Sequence, residues 1–358
     1  MTTTLNHLTR RQMLGGLAAV GPLAALGLAG CGGGGGSAAA STAAATSGGH
    51  DHGTAVAVDH GPAVAPRDPH TTYPAAAPPR STTKVHKIEF EVDEHLLEVA
   101  EGRTMLAWCF ARAGRKGTLP GPVLRVTEGD RIDFTLHNTG SLQHSMDFHA
   151  AKISWSRHYG PVDPGTSKSF SWTAQVPGVF MYHCGVPPVL LHIGQGQHGT
   201  IIVDPADASV LPPAREFVIV QTDIYPGNNG ETSNFALLQA GTPELVVFNG
   251  YANQYTGKNA LRIKKDERVR IFVQNAGPSR WSAFHVIGAL FDRVFQEGIY
   301  PENMTRGSQT LNLSPSQGAV VEFTVQEEGS YPFVSHDFHD HVKGAFGLFT
   351  TNGEGTGA

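Results

Sequence analysis

Three residues in the middle of this chain have the types and the spacing that suit a metal carrying single electrons. Cys184 ends a run that reads as a β-strand, His192 follows after seven intervening residues, and His144 precedes an earlier strand. One loop can therefore bring Cys184 and His192 to the same ion, while His144 arrives from a neighbouring strand. Copper electron-transfer sites need a soft thiolate, two imidazoles and a weak axial ligand. The combination predicts a copper site, although each residue alone would more often be an ordinary buried side chain.

The elements around these residues predict an all-β protein with two related sandwich domains. From Lys84 onward, short runs rich in Val, Ile, Phe and Thr alternate with Gly, Pro, Asn and Asp, without a sustained helical period. The segment "GDRIDFTLHNTG" at 129–140 is echoed by "DERVRIFVQNAG" at 266–277. A later match aligns His183 with His336, and only the first copy has a cysteine next. Such self-similarity indicates two tandem copies of one domain.

The first 80 residues predict an export signal and a tether. "TRRQML" at 9–14 resembles a twin-arginine signal, and "LAGC" ending at Cys31 resembles a lipobox, although a plain signal peptide with a chance cysteine stays open. Gly, Ala, Ser, Thr and Pro dominate the following segment, so it is predicted to be disordered. Its histidines, His50, His52, His60 and His70, could bind copper loosely or be functionally neutral. The predicted segments are signal 1–31, linker 32–80, first domain 81–208 and second domain 209–352.

Composition narrows the class of partner and the role of cysteine. Lys plus Arg total 26 against 31 Asp plus Glu, so no basic excess points to nucleic acid. Eighteen histidines and three cysteines favour imidazole chemistry over a disulfide scaffold. Once Cys31 and Cys184 have roles, Cys109 has no partner and is predicted to be a buried structural thiol.

Three segments resemble the copper-containing nitrite reductases. They are "HSMDFHA" at 144–150, "GVFMYHCGVPPVLLHIGQGQHGTIIVDP" at 178–205 and "YPFVSHDFHD" at 331–340, and they span both predicted domains. The short loop between cysteine and histidine is similar to the shorter-loop class of that family, which includes outer-membrane lipoproteins. The resemblance implies two tandem cupredoxin-like Greek-key sandwiches and two coppers per subunit, one type 1 and one type 2.

The resemblance also implies the ligands of the type 1 copper. They are His144, Cys184, His192 and an axial residue that the family supplies as methionine. This sequence departs from the family there, because the position holds Gln197. A harder oxygen donor favours Cu(II) and predicts a lower potential. Two alternatives stay open: Gln197 is not a ligand, or His198 takes its place.

For the type 2 copper, the resemblance implies a site shared between subunits. His149 and His183 would come from one subunit and His336 from its neighbour, which implies a homotrimer. Three imidazoles with an open fourth position can bind an oxyanion or water. Asp147 and His285 match the family's acid–base pair. The alternatives are that Asp147 only orients a ligand and that His285 is a core histidine.

These matches predict a dissimilatory-type reductase of denitrification, which reduces nitrite to nitric oxide by one electron. The expected electron donor is a small redox protein, either a cupredoxin or a c-type cytochrome. The expected location is the periplasm or cell surface, with a membrane anchor at Cys31.

Two other classes of function stay open at this point. A laccase-like multicopper oxidase needs four His-X-His pairs, and the two predicted domains contain one, His339-Asp340-His341. A cupredoxin electron carrier or copper-binding lipoprotein would lack the type 2 metal, and would leave the presence of His149, His183 and His336 unexplained.

Overall fold

The computed structural model describes residues 59–352, and its strands form two β-sandwiches in tandem. The first contains β1 (Val85–Ala100), β2 (Arg103–Arg112), β3 (Leu124–Thr127), β4 (Arg131–His137), β5 (Asp147–Phe148), β6 (Ser167–Thr173), β7 (Gly178–His183) and β8 (His198–Asp204), with the short helices α1 (Trp155–His158) and α2 (Val189–Gly194). One of its sheets has the order β2-β1-β4-β6 and the other β3-β8-β7-β5.

The second sandwich repeats this plan with more strands. It contains β9 (Arg215–Ile224), β10 (Leu245–Phe248), β11 (Leu261–Arg262), β12 (Val269–Gly277), β13 (Ser282–Val286), β14 (Arg293–Gln296), β15 (Met304–Thr305), β16 (Thr310–Leu313), β17 (Gly318–Phe323), β18 (Ser330–Ser335) and β19 (Phe346–Thr350), with α3 (Phe235–Ala240) and α4 (Phe338–His341). Its sheets have the orders β10-β9-β12-β17-β14-β15 and β11-β19-β18-β13-β16. Single 3₁₀ turns lie at Ala208–Val210 and Gly257–Asn259.

The repeat seen in the sequence reappears in the strand pairing. In the first sandwich, β4 lies between a parallel β1 and an antiparallel β6. In the second, β12 lies between a parallel β9 and an antiparallel β17. The predicted all-β class with two tandem cupredoxin-like domains is confirmed. Strands β1 to β8 fall inside the first predicted domain and β9 to β19 inside the second, while the predicted bounds themselves stay a prediction.

Apolar and polar residues alternate in strands that are buried on one face, whereas strands buried on both faces need not show this alternation. In β4, Ile132, Phe134 and Leu136 face the first core while the residues between them reach the surface. Strand β17 is buried at every position, because its sheet packs on the second core on one side and on the first sandwich on the other. The interface core joins Met181 of β7 to Phe272 of β12. The two sandwiches therefore bury one continuous apolar layer between them.

Residues 59–80, the end of the predicted linker, pack against the two sandwiches. The hydroxyl of Tyr73 donates to the carbonyl of Gly121 at 3.2 Å, and the hydroxyl of Tyr255 donates to the carbonyl of Tyr73 at 2.8 Å. Ala75 is buried. The segment has too few apolar residues to form a core of its own, but it packs on surfaces that the two sandwiches supply. The rest of the predicted linker, the export signal and the lipobox cysteine lie outside the described residues.

A buried ionic network crosses from one sandwich to the other. The guanidinium of Arg125 binds Asp204 with Nε at 2.8 Å and Glu216 with Nη1 at 2.6 Å. Glu216 also accepts from Nη1 of Arg270 at 2.6 Å, and Arg270 binds Glu322 through Nε at 2.7 Å. These charges are paired at close range, which a buried charge requires. The network ties the last strand of the first sandwich to the interior of the second.

Replacing Arg270 with Met should lower the free energy of unfolding by about 3 kcal/mol, because Glu322 and Glu216 would each lose a buried cation. Arg131→Met is the control, because Arg131 pairs with Asp133 at an exposed site and should cost under about 1 kcal/mol. Urea unfolding of the copper-free proteins measures both. Equal losses in the two variants would contradict a special role for the buried network.

Candidate metal centres

The first cluster is assembled by a loop and a helix at one end of the first sandwich. Cys184 directly follows β7, and α2 begins after Pro188 and carries His192 in its last turn. This position tolerates a proline, because the first N–H groups of a helix have no hydrogen-bond partner inside the helix. His144 lies just before β5, as predicted. The side chains of Cys184, His144 and His192 are all buried.

The donor atoms of this cluster converge on one point. Nδ1 of His144 lies 2.8 Å and Nδ1 of His192 lies 2.9 Å from the side-chain oxygen of Gln197, and Sγ of Cys184 lies 3.3 Å from Nδ1 of His192. The backbone N–H of Ser145 donates to Sγ of Cys184 at 3.3 Å. Two imidazoles, a thiol and an amide oxygen therefore surround a common centre.

The electrostatics of this cluster fit copper. Burial lowers the pKa of both His144 and His192, so their rings are neutral and can act as ligands. Burial raises the pKa of the Cys184 thiol, against the opposing effect of N–H groups from Val186 and Ser145. A thiolate at this buried position needs a cation beside it. The set of one sulfur, two imidazoles and a weak oxygen donor is the one that electron-transfer copper prefers.

The side chain of His198 points away from this cluster. Its Nε2 lies 3.5 Å from Oγ1 of Thr222 in the second sandwich, whereas the side-chain oxygen of Gln197 faces both imidazoles. Of Gln197 and His198, the geometry therefore places Gln197 beside the two imidazoles.

The second cluster lies on the pairing of β5 with β7. Nε2 of His149 lies 3.0 Å from Nε2 of His183, and Asp147 is the cross-strand partner of His183. Ligand atoms of all three lie within 4.8 Å of one another. Nδ1–H of His183 donates to the carbonyl of Cys184 at 2.8 Å, which leaves Nε2 free of its proton and able to bind a metal.

Charge states in the second cluster also suit a metal site. Desolvation, followed by the nearby His183, lowers the pKa of His149 to about 4, although this residue is exposed. Burial raises the pKa of Asp147, and His183 acts in the opposite direction. The cluster therefore combines a neutral His149 imidazole with a carboxyl, that of Asp147, which holds a proton more tightly than usual.

The two clusters lie on opposite faces of one strand. Tyr182 in β7 and Cys184 directly after it point into the first core, whereas Met181 points toward the second sandwich. Because successive side chains alternate, His183 lies on the face opposite Cys184. One peptide bond therefore joins the two clusters.

His336 and His285 are brought together in the second sandwich. Their ring centroids lie 5.3 Å apart, and Nδ1–H of His285 donates to the carbonyl of Gln309 at 2.6 Å. His285 is half-buried, so it is not a core histidine, and His336 is exposed. Within residues 59–352, the groups of three or more converging donors are the two clusters described above, and His336 belongs to neither.

Three further residues, His339, Cys109 and Trp108, lie outside the two donor clusters. His339 is exposed and pairs with Asp337. Cys109 is buried and forms no disulfide, as predicted. Sequence reasoning missed Trp108, whose ring centroid lies 5.0 Å from that of His192 and 5.7 Å from that of His144. It sits on β2, far along the chain from both histidines, so no local spacing pointed to it.

Two tandem sandwiches, a buried cysteine–histidine cluster and an adjoining histidine cluster define a two-domain copper protein of the cupredoxin class. The chain is 36% identical over 298 residues to the copper-containing nitrite reductase of Neisseria gonorrhoeae. The alignment covers 79% of this chain and 73% of that protein. It belongs to the copper-containing nitrite reductase family. The resemblance read from its motifs is confirmed.

Other comparisons agree with this family. The solved copper nitrite reductase of Nitrosomonas europaea is 35% identical, with a TM-score of 0.70 over 76% of this chain and 98% of that chain. The family model for multicopper oxidases matches residues 111–208. A solved multicopper oxidase superposes with a TM-score of 0.65 over 75% of this chain and 89% of that one, at 23% identity. That likeness concerns the fold alone.

Proposed function

We propose that this chain reduces nitrite to nitric oxide, consuming two protons and one electron and releasing water. The observation that carries the proposal is the adjacency of Cys184 and His183, each of which belongs to a separate donor cluster. Bound copper would store one electron at the first cluster, and at the second would act as a Lewis acid that binds nitrite and delivers that electron to it.

At the first cluster, we assign His144, Cys184, His192 and Gln197 as type 1 ligands. Their burial excludes water, which limits the rearrangement that accompanies a change in charge. The N–H of Ser145 supports the thiolate. Trp108 packs against the rings of both histidines and restricts their orientation.

At the second cluster, we assign His149 and His183 as type 2 ligands, with His336 as the third from a neighbouring subunit of a homotrimer. The support is that His336 is exposed and apart from the other two in one chain. Trp281 and Phe338, also in the second sandwich, are large exposed apolar side chains, and the ring centroid of Phe338 lies 4.9 Å from that of His336. Exposed apolar surface of this kind suits an interface between subunits.

Asp147 and His285 are the residues we propose to supply protons. Burial raises the pKa of Asp147, so its carboxyl stays protonated to higher pH than an ordinary aspartate and can donate to an oxygen of nitrite. Nδ1–H of His285 donates to the carbonyl of Gln309, so Nε2 of His285 is the atom that accepts and passes a proton. His285 would act together with His336 across the subunit boundary.

The exported location and the electron donor are further parts of the proposal. No helix within residues 59–352 is both long and apolar enough to cross a membrane. The twin-arginine motif supports export, and Cys31 supports attachment through a lipid. The donor that fits a type 1 copper is a small redox protein, a cupredoxin or a c-type cytochrome.

The test of the proposed function is anaerobic. Copper content and EPR spectra should show about two coppers per chain, one of each type, and nitrite should perturb the type 2 signal. Nitric oxide should form when a reductant is added. One copper per chain would favour an electron carrier, whereas oxygen consumption with phenols and no nitric oxide would favour a laccase-like oxidase.

Replacing Gln197 with Met should raise the type 1 potential and shift the visible spectrum, because a thioether is softer than an amide oxygen and favours Cu(I) more. We expect a roughly tenfold change in the Cu(I)/Cu(II) equilibrium, or about 59 mV for one electron. Gln195→Met is the control, because the side chain of Gln195 binds Leu106 and Ser233 outside the cluster. An unchanged spectrum in Gln197→Met would mean that Gln197 is not a ligand.

A further inference from the structure

Glu94 contacts the first cluster from outside. It lies on β1, and its Oε1 is 3.5 Å from Nε2 of His144, the ring nitrogen that faces away from the other donors. This Nε2 is buried and has no hydrogen-bond partner. The N–H and the hydroxyl of Ser141 donate to the two oxygens of Glu94 at 2.7 and 2.8 Å. The carboxylate is therefore held in place beside the ring.

A glycine makes this approach possible. A Cβ at Gly140 would lie 2.6 Å from Oε1 of Glu94 and 3.0 Å from Nε2 of His144. The first distance is closer than side chains tolerate. Any other residue at this position would push the carboxylate and the ring apart.

Glu94 forms no ion pair with a lysine or arginine among residues 59–352. Its neighbour Asp93 binds the guanidinium of Arg67 at 2.7 and 2.9 Å. Among the ion pairs of residues 59–352, the partner of Glu94 is His144, and no Lys or Arg reaches it. Glu94 also lines an open cavity of about 890 Å³, shared with Arg67 and Lys116, so water reaches one side of the carboxylate.

We propose that Glu94 is a positioning residue for the type 1 copper, which orients His144 and lowers the reduction potential of the site. This inference rests on the proposed type 1 centre. A carboxylate beside the remote N–H of a ligand histidine fixes the tautomer and makes the ring a stronger donor. Its negative charge also favours the more positive, oxidised form of the metal site. Glu94 and Gln197 therefore both lower the reduction potential of the type 1 site.

The test is the type 1 potential of Glu94→Gln, measured by redox titration of the visible absorption. The amide keeps the shape of the side chain and one acceptor for Ser141, but it has no charge. We expect the absorption and the copper content to persist and the Cu(I)/Cu(II) equilibrium to shift about tenfold toward Cu(I), or about 59 mV. Gly140→Ala should shift the potential in the same direction, because it displaces the same carboxylate.

Glu91→Gln is the matched control. Glu91 lines the same cavity, and its carboxylate accepts from the N–H of Gly114. We expect no change in potential. An unchanged potential in Glu94→Gln, or an equal shift in Glu91→Gln, would overturn the role of Glu94. If the unmodified protein lacked type 1 absorption when loaded with copper, the proposed type 1 centre would fail, and with it the role of Glu94.

Discussion

Replacing Cys184 with Ser should abolish the visible type 1 absorption and lower the rate of nitric oxide formation at least about 100-fold. Residues that only support metal ligands typically cost 10- to 100-fold when changed, and Cys184 is the proposed sulfur ligand itself. A hydroxyl is harder than a thiolate and stays protonated at neutral pH. Because His149 and His183 remain, the type 2 EPR signal should persist. Copper analysis, EPR and anaerobic turnover measure these effects together.

The matched control is Cys109→Ser. Cys109 is the other free cysteine among the described residues and is also buried, but it packs in an apolar cluster away from the metal donors. The substitution should cost about 1–3 kcal/mol of stability, because it buries a hydroxyl in place of a thiol. It should leave the spectrum and the rate per intact protein unchanged. Retention of the type 1 absorption in Cys184→Ser would refute the assigned sulfur ligand.

Replacing His336 with Ala should remove the type 2 copper and nitric oxide formation while the type 1 absorption persists. The reason is that His149 and His183 alone would leave the second metal with two imidazoles. The type 1 donors lie in the other sandwich and should be unaffected. His339→Ala is the control, because His339 is near in sequence and also exposed, but it pairs with Asp337. Loss of type 2 copper in both variants would point to general damage at α4.

Mixed oligomers test whether His336 acts across a subunit boundary. Chains with His149→Ala and chains with His336→Ala should each be inactive alone. When the two are co-expressed in equal amounts, an intact site forms wherever a His336→Ala chain receives the histidine of a His149→Ala neighbour. Random assembly of a closed ring should then restore roughly a quarter of the sites. Mixed oligomers with no recovered activity would contradict the shared site.

Local spacing in the sequence predicted much of the first cluster. Cys184 and His192 lie on one loop, so their separation along the chain limits their separation in space. The internal repeat also predicted that His336 occupies, in the second copy, the place that His183 has in the first. The structure brings the side chains of Cys184 and His192 together because one loop positions both, while the correspondence of His336 with His183 stays a prediction.

Contacts between distant strands could not be read from the sequence. Glu94 and Trp108 reach His144 from β1 and β2, and nothing in their local sequence indicates a metal site. The packing of residues 59–80 on the sandwiches could not be read from the sequence for a related reason. Composition measures whether a segment can form its own core, but it does not measure whether the segment can pack on a core that other strands provide.

The alternation of side chains along β7 determines on which side of the strand the Cys184 sulfur lies relative to the nitric oxide product. Nitric oxide and its oxidation products modify thiols by S-nitrosylation, and the thiolate is the reactive form. On the proposed function, product forms beside His183, while the sulfur of Cys184 lies on the opposite face of the strand, fully buried. Product that leaves the second cluster for solvent does not cross the sheet that covers the sulfur. The strand thus joins the two clusters through one peptide bond and places the sulfur on the face away from the side where the product is proposed to form.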